Sequence, residues 1–310
     1  MSTPNLICVV GPTASGKTRL AVELAKALNG EVLSCDSMQI YRRMDIGTAK
    51  PTPEETQEVP HHMIDVIGPE EPFSVGRYVE MADPILQDIL SRGKTCVLCG
   101  GTGLYVDSLM AGRTFAPYPE TGRRQELEAM ADREGIEAVL EKLRAVDPDS
   151  AERLHPGNRR RIIRAMEVYL ETGKTITQHN LETQAVPAKY HPLWIGLDFT
   201  DRADLYRRID RRVDLMMEGG LLDEIQRLLS EGVPPTATSL QAIGYKEPMA
   251  ALRGEMTMEE AVEKVKQESR RYAKRQLTWF RRNKEIHWIM QEEPVDFQHT
   301  WQEVQRILEN

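Results

Sequence analysis

At 310 residues, 40% hydrophobic and 28% charged, the chain can bury a large core and allows about two domains. No stretch approaches the ~20 apolar residues that span a bilayer, and the first residues lack a basic segment followed by an apolar run, which predicts no membrane span and no signal peptide. The net charge of −8 argues weakly against a nucleic-acid partner, yet basic residues cluster at 159–164, 207–212 and 270–282, and such stripes can bind phosphates on an acidic protein.

In chain order, Leu6-Ile7-Cys8-Val9-Val10 reads as a buried strand. Gly11-Pro12-Thr13-Ala14-Ser15-Gly16-Lys17-Thr18 follows, a full phosphate-binding loop. A helix over 17–28 repeats Leu20, Leu24 and Leu28 on one face. Backbone N–H groups and the helix start would face an anion, Lys17 adds a point charge, and Thr18 is placed to hold Mg²⁺ bridging phosphate oxygens. The ligand is a diphosphate or triphosphate.

A second strand over 31–35 runs into Cys35-Asp36-Ser37, which sets Asp36 beside the loop. Its carboxylate can act on Mg²⁺ indirectly or as a base; the alternative is a cap or turn residue. Residues 38–51 are polar and aperiodic, and irregular loops of that length tend to be functional. His61-His62 resembles a metal pair, but adjacent side chains rarely chelate one ion from one face. A helix over 75–91 and a strand over 95–99 come next. Cys96 and Cys99 have zinc-like spacing, but residues i and i+3 of a strand point to opposite faces and no second pair exists. With Cys8 and Cys35 they read as buried free thiols of a reducing, cytoplasmic compartment.

Gly100-Gly101-Thr102-Gly103 ends the third strand, its glycines letting backbone approach a ligand and Thr102 offering a hydroxyl. The Mg²⁺-binding carboxylate that ends this strand in many nucleotide hydrolases is absent, which argues against an ordinary ATPase and leaves a kinase open. Alternating strands and helices predict an α/β fold: a parallel sheet with helices on both faces, like that of P-loop NTPases, with loops 11–18, 36–51 and 100–105 meeting at the carboxyl ends of the strands.

A break at Pro117-Tyr118-Pro119 introduces helical segments over 121–145, 149–154 and 158–171, until 193–199 rejoins the sheet. This predicts a core of 1–114 and 191–310 around a helical insertion, 115–190. The remainder reads as helical: 202–231 carries Leu205, Ile209, Val213, Met216 and Met217 at core spacing, and 257–282 is long and basic. There Tyr272, Trp279 and Phe280 read as core more readily than as stacking platforms.

The loop 11–18, the run 36–51, Pro60-His61-His62-Met63-Ile64-Asp65, Gly100-Gly101-Thr102-Gly103-Leu104-Tyr105, Gln241-Ala242-Ile243-Gly244-Tyr245-Lys246-Glu247 and Arg275-Gln276-Leu277-Thr278-Trp279-Phe280-Arg281 occur together and in order. Over residues 5–285 the chain closely resembles the bacterial tRNA dimethylallyltransferase, or tRNA isopentenyltransferase, family. The resemblance implies transfer of a dimethylallyl group from its diphosphate to N6 of the adenosine 3′ of the anticodon, position 37, in tRNAs reading codons that begin with U. It implies a diphosphate site of Gly11, Thr13, Ala14, Ser15, Gly16, Lys17 and Thr18 with Mg²⁺ on Thr18. Arg208 is favoured over Arg212 as the arginine contact.

Asp36 then serves as general base, and Thr102 contacts substrate near the reacting centre. The adenine leaves its stack and meets Ser37, Met38 and Gln39. Further tRNA contacts are Arg124, Arg159, Arg160, Arg161, Arg164, Gln241, Gly244, Tyr245, Lys246, Arg275 and Arg281. The expected partners are dimethylallyl diphosphate and the tRNA anticodon stem-loop, met by a monomer. The zinc-finger cysteines of some eukaryotic members are absent, consistent with the bacterial type. A small-molecule kinase and a transferase acting on free adenine nucleotide fit the helical insertion and basic C-terminal region poorly. An RNA-binding NTP-dependent switch fits the missing carboxylate poorly.

Overall fold

Residues 4–113, 115, 121–184 and 187–309 are described by a computed structural model. The chain divides into two compact units, residues 1–112 with 190–310, and residues 113–189. The first begins with β1 (Leu6–Val10), α1 (Lys17–Ala27), β2 (Gly30–Ser34), α2 (Pro53–Thr56), β3 (His61–His62), α3 (Val75–Ser91), β4 (Thr95–Gly100) and α4 (Gly103–Met110). The second holds α5 (Arg123–Glu134), α6 (Ile136–Val146), α7 (Pro148–Arg153), α8 (Arg159–Thr172) and α9 (Ile176–Gln184). The first then resumes with β5 (Leu193–Phe199), α10 (Arg202–Glu218) and α11 (Leu221–Ser230). A 3-10 turn at Ser239–Gln241, α12 (Lys246–Leu252), α13 (Met258–Phe280), β6 (His287–Gln291) and α14 (Phe297–Glu309) complete it.

The six strands form one parallel sheet in the order β3-β2-β4-β1-β5-β6. β1 is apolar and buried at all five positions because both of its faces are covered. On one face Ile7, Val9, Val97, Ile195 and Leu197 pack with Leu20 and Leu24 of α1 and Val304 of α14. On the other, Cys8 Sγ lies 3.8 Å from Met110 Sδ of α4, and the Tyr78 hydroxyl of α3 donates to Ser34 O. The strands after β1 leave to one side as β2, β3 and β4, and those from β5 leave to the other. That divergence opens a crevice at the carboxyl end of β1.

Several elements differ from the sequence expectation. The helix over 121–145 is broken between α5 and α6 by Gly135, whose φ of 88° no right-handed helix accommodates. The stretch 202–231 is likewise two helices, divided at Gly219-Gly220 with φ 95° at Gly220. The edge strand β6 and helices α9 and α14 were not anticipated as separate elements; β6 is five residues long and half exposed. The Pro117-Tyr118-Pro119 break lies outside the described residues. Among the described residues no helix is long and apolar enough to cross a membrane. Burial pushes the thiols of Cys96 and Cys99 up to about 12 and raises Cys8 and Cys35 as well, so all four stay protonated near neutrality.

Candidate active site

The phosphate loop takes its shape from backbone that most residues avoid. Ala14 and Gly16 hold φ of 64° and 87°, turning consecutive N–H groups toward one side. At Gly11 φ is 145°, and a Cβ there would collide with Leu197 O of β5. Gly16 caps α1 without a side-chain hydrogen bond, so the first-turn N–H groups stay available to an anion. Lys17 Nζ donates to Pro12 O at 2.5 Å, and burial lowers its pKa to about 8.

Residues from the far end of the chain brace this loop. Gln276 Oε1 accepts from Thr13 N at 2.8 Å, Arg208 Nε donates to Ala14 O at 3.0 Å, and Gln291 Nε2 donates to Ser15 O at 2.9 Å. Arg212 Nη1 donates to Thr13 Oγ1 at 3.2 Å. The sequence ranks Arg208 ahead of Arg212. In the structure Arg212 lines the central cavity, whereas Arg208 sits against the loop and pairs with Glu293 at 3.0 Å. Burial lowers the Arg212 pKa, and Asp36 opposes that shift.

Asp36 follows β2 and Cys35. One carboxylate oxygen accepts Met38 N at 2.8 Å in a local turn, and the residue lines the cavity. Thr102, at the N-cap of α4, makes no capping bond; its hydroxyl accepts Ser37 N at 3.1 Å and donates to Ser37 Oγ at 3.4 Å. The two strand ends are thereby tied together beside the phosphate loop.

The glycines around Thr102 also answer a packing requirement. A Cβ on Gly100 would meet Cys35, one on Gly101 the amide of Gln276, and one on Gly103 the Trp279 ring. They admit the residue that follows β2, and α13.

The cavity, about 340 Å³, is lined on its polar side by Thr13, Asp36, Ser37, Arg212 and Tyr272. Its apolar side carries Ile209, Val213, Met216 and Val265. Tyr272 is the functional candidate that the sequence reading missed by assigning it to the core. Burial pushes its hydroxyl's pKa up to about 12. The available signal was its spacing of four from Gln276, which puts the two on one helix face. Met38 also lines the cavity, and Gln39 is held by neighbouring residues. Its amide accepts Ser34 Oγ and donates to Ala49 O at 3.2 Å, so both ends are spent holding the loop.

Glu224 anchors the rest of that loop. It is 3% exposed and accepts the backbone N–H groups of Asp45, Ile46 and Gly47 at 2.7, 2.8 and 3.1 Å. The Tyr245 hydroxyl donates to it at 2.7 Å. Tyr245, expected among the tRNA contacts, is 0% exposed and cannot reach a partner at the surface. Tyr245→Phe should therefore cost about 1–2 kcal/mol of stability through the lost bond to a carboxylate. Denaturant unfolding with an unchanged midpoint would contradict this anchoring role.

The metal-like pair His61-His62 forms β3. His61 Nδ1 lies 2.8 Å from Val59 O, and His62 Nε2 lies 2.8 Å from Glu31, which also binds Arg92 and Lys94.

Residues 39–283 match the family model described as IPP transferase, and residues 4–66 match that described as isopentenyl transferase. A tRNA dimethylallyltransferase of Caldanaerobacter subterraneus subsp. tengcongensis is 46% identical over 301 residues, 96% of this chain and 94% of that protein. The crystal structure of the full-length tRNA isopentenylpyrophosphate transferase from Bacillus halodurans is 44% identical, with a TM-score of 0.72 over 99% of this chain and 97% of that one. A eukaryotic dimethylallyltransferase acting on tRNA is 29% identical, with a TM-score of 0.78 over 92% of this chain and 73% of that one.

The chain belongs to the tRNA dimethylallyltransferase (IPP transferase) family.

For a member of the tRNA dimethylallyltransferase family, the expected RNA contacts divide by their existing partners. Gln241, Gly244 and Arg275 line the cavity, and Arg275 lies 5.6 Å from the Tyr272 ring centroid. Lys246 is exposed, 3.7 Å from Glu247. Arg281 pairs at 2.8 Å with Asp198, a carboxylate 1% exposed, so its first duty is to compensate a buried charge. In the helical unit Arg124 pairs with Glu128 and Glu167, Arg159 with Asp132, and Arg164 with Glu167. Arg160 and Arg161 are exposed and form no ion pair among the described residues.

Proposed function

We propose that this chain transfers the dimethylallyl group of dimethylallyl diphosphate to N6 of adenosine 37 in tRNAs reading codons that begin with U, releasing diphosphate. The observation that carries the reading is the shared cavity, where the phosphate loop, a carboxylate and an apolar wall meet. The diphosphate lies on the loop amides, Lys17 and Arg212, with Arg208 bracing the loop from behind. The allyl group rests on Ile209, Val213, Met216 and Val265. The adenine enters from the side of Asp36, Ser37 and Tyr272.

N6 attacks C1 of the allyl group. The C1–O bond breaks, its electron pair passes to the diphosphate, and the N6 proton goes to Asp36. Loop amides and Lys17 stabilise the charge that builds on the leaving oxygen. Tyr272, with its pKa near 12, stays protonated.

The donor set fits Mg²⁺: Thr18 and Asp36 offer hard oxygens, and no cluster of three metal-binding side chains occurs among the described residues. Mg²⁺ ordinarily takes one or two protein oxygens and completes its shell with phosphate and water. When bound, it supplies charge neutralisation on the diphosphate.

Incubation with labelled dimethylallyl diphosphate and, separately, unmodified tRNA, AMP or ATP tests the reading. Label should enter tRNA alone; label in AMP with none in tRNA would overturn it. Affinity for tRNA should fall steeply with salt despite the net charge of −8. Arg160→Ala and Arg275→Ala should each flatten the slope of log affinity against log salt by about 0.7, the value per phosphate on a single strand. Arg144, exposed and paired with Glu141, serves as control. Identical slopes in all three variants would move the RNA surface elsewhere.

A further inference from the structure

Gln276 of α13 stands where three parts of the site meet. Its side chain is 5% exposed; Oε1 accepts Thr13 N of the phosphate loop at 2.8 Å, and Nε2 donates to Gly101 O after β4 at 3.0 Å. Tyr272, one turn earlier on the same helix, lines the cavity together with Thr13 and Asp36. A primary amide donates and accepts at once, so one side chain satisfies an N–H and a C=O on separate loops. Its helix neighbours Tyr272 and Arg275 line the cavity, on the side assigned above to the acceptor.

We propose that Gln276 is a positioning residue that couples the two substrates, so that RNA held against Tyr272 and Arg275 fixes the phosphate loop through the Gln276 amide and tightens diphosphate binding. The proposal rests on the prenyl-transfer reading. One turn of α13 carries both the acceptor-facing residues and the brace on Thr13, so ordering that turn orders the loop. The effect is reciprocal: a bound diphosphate tightens RNA by the same factor. Gln291 provides the contrast. It is 6% exposed and braces Ser15 O of the same loop, but it does so from β6.

The test is calorimetric titration of inorganic pyrophosphate with Mg²⁺ into the full chain, alone and saturated with an unmodified anticodon stem-loop RNA. The wild-type chain should bind pyrophosphate about tenfold tighter with RNA present, within the usual range of coupling between sites. In Gln276→Ala that gain should fall below twofold while RNA affinity without pyrophosphate stays within twofold of wild type. Gln291→Ala should weaken pyrophosphate equally in both conditions and keep the tenfold gain. Should Gln276→Ala not fold, Gln276→Met fills much the same space with neither the acceptor for Thr13 N nor the donor to Gly101 O, and its gain should fall likewise. A wild-type gain retained in the Gln276 variants, or lost equally in Gln291→Ala, would reduce Gln276 to a structural brace. Both ligands binding without any gain would overturn the coupling alone. A wild-type chain that binds neither would overturn the prenyl-transfer reading and the coupling with it.

Discussion

Asp36→Asn should slow the chemical step in single turnover by about 10²–10⁴-fold, the range that follows loss of a positioned general base. One Asp36 oxygen is committed to Met38 N at 2.8 Å, an acceptor bond that the asparagine carbonyl can reproduce. The substitution therefore preserves the turn and the cavity shape, and it removes the capacity to take the N6 proton. RNA affinity should remain within about twofold, since the phosphate-facing arginines are untouched. A single-turnover rate near wild type would transfer the proton to water and leave Asp36 as an orienting group.

Lys17→Ala should slow single turnover by about 10²–10³-fold, comparable to removing one preorganised donor from a developing oxyanion. The pH dependence gives an independent check. Burial lowers the Lys17 pKa from 10.5 to about 8, so the free protein begins to lose this ammonium above pH 8. Because the ammonium form binds the anion, pyrophosphate affinity should hold steady below pH 8 and decline above it, at most tenfold per unit. Stability without ligand moves the opposite way. Between about 8 and 10.5 the unfolded chain binds the proton that the folded chain has released, so this group's contribution makes the fold more stable as pH rises. Calorimetric affinities from pH 7 to 9.5 should show the decline in wild type and none in Lys17→Ala. A decline that survives in Lys17→Ala would assign the titration to another group.

The eight residues of the phosphate loop determine their own geometry. Glycine at 11 and 16 permits the positive φ, Lys17 and Thr18 open the helix, and an apolar run precedes them, so one short window carries strand, turn and helix. The helix over 75–91 and the strand over 193–199 are equally local, because hydrophobic period and flanking turns set their ends. The places of Asp36 and Thr102 were legible one level higher: alternating strands and helices predict a parallel sheet, whose carboxyl-end loops lie along one edge, and the structure pairs the two strands that precede them.

What the sequence left undecided depends on packing between distant segments. Arg208 and Arg212 lie one turn apart on α10, and only the placement of Glu293 and Thr13 turns one aside and leaves the other facing the cavity. Tyr245 belongs to a motif that invites a surface role, yet Glu224 and Gly47 enclose it. Tyr272 and Gln276 look like positions on a basic helix until α13 lies against loops more than 170 residues earlier in the chain. Dihedral preference and period are properties of a short window. Burial and the partner of a polar side chain are properties of whatever else occupies the same space, and that is decided only when the chain has folded.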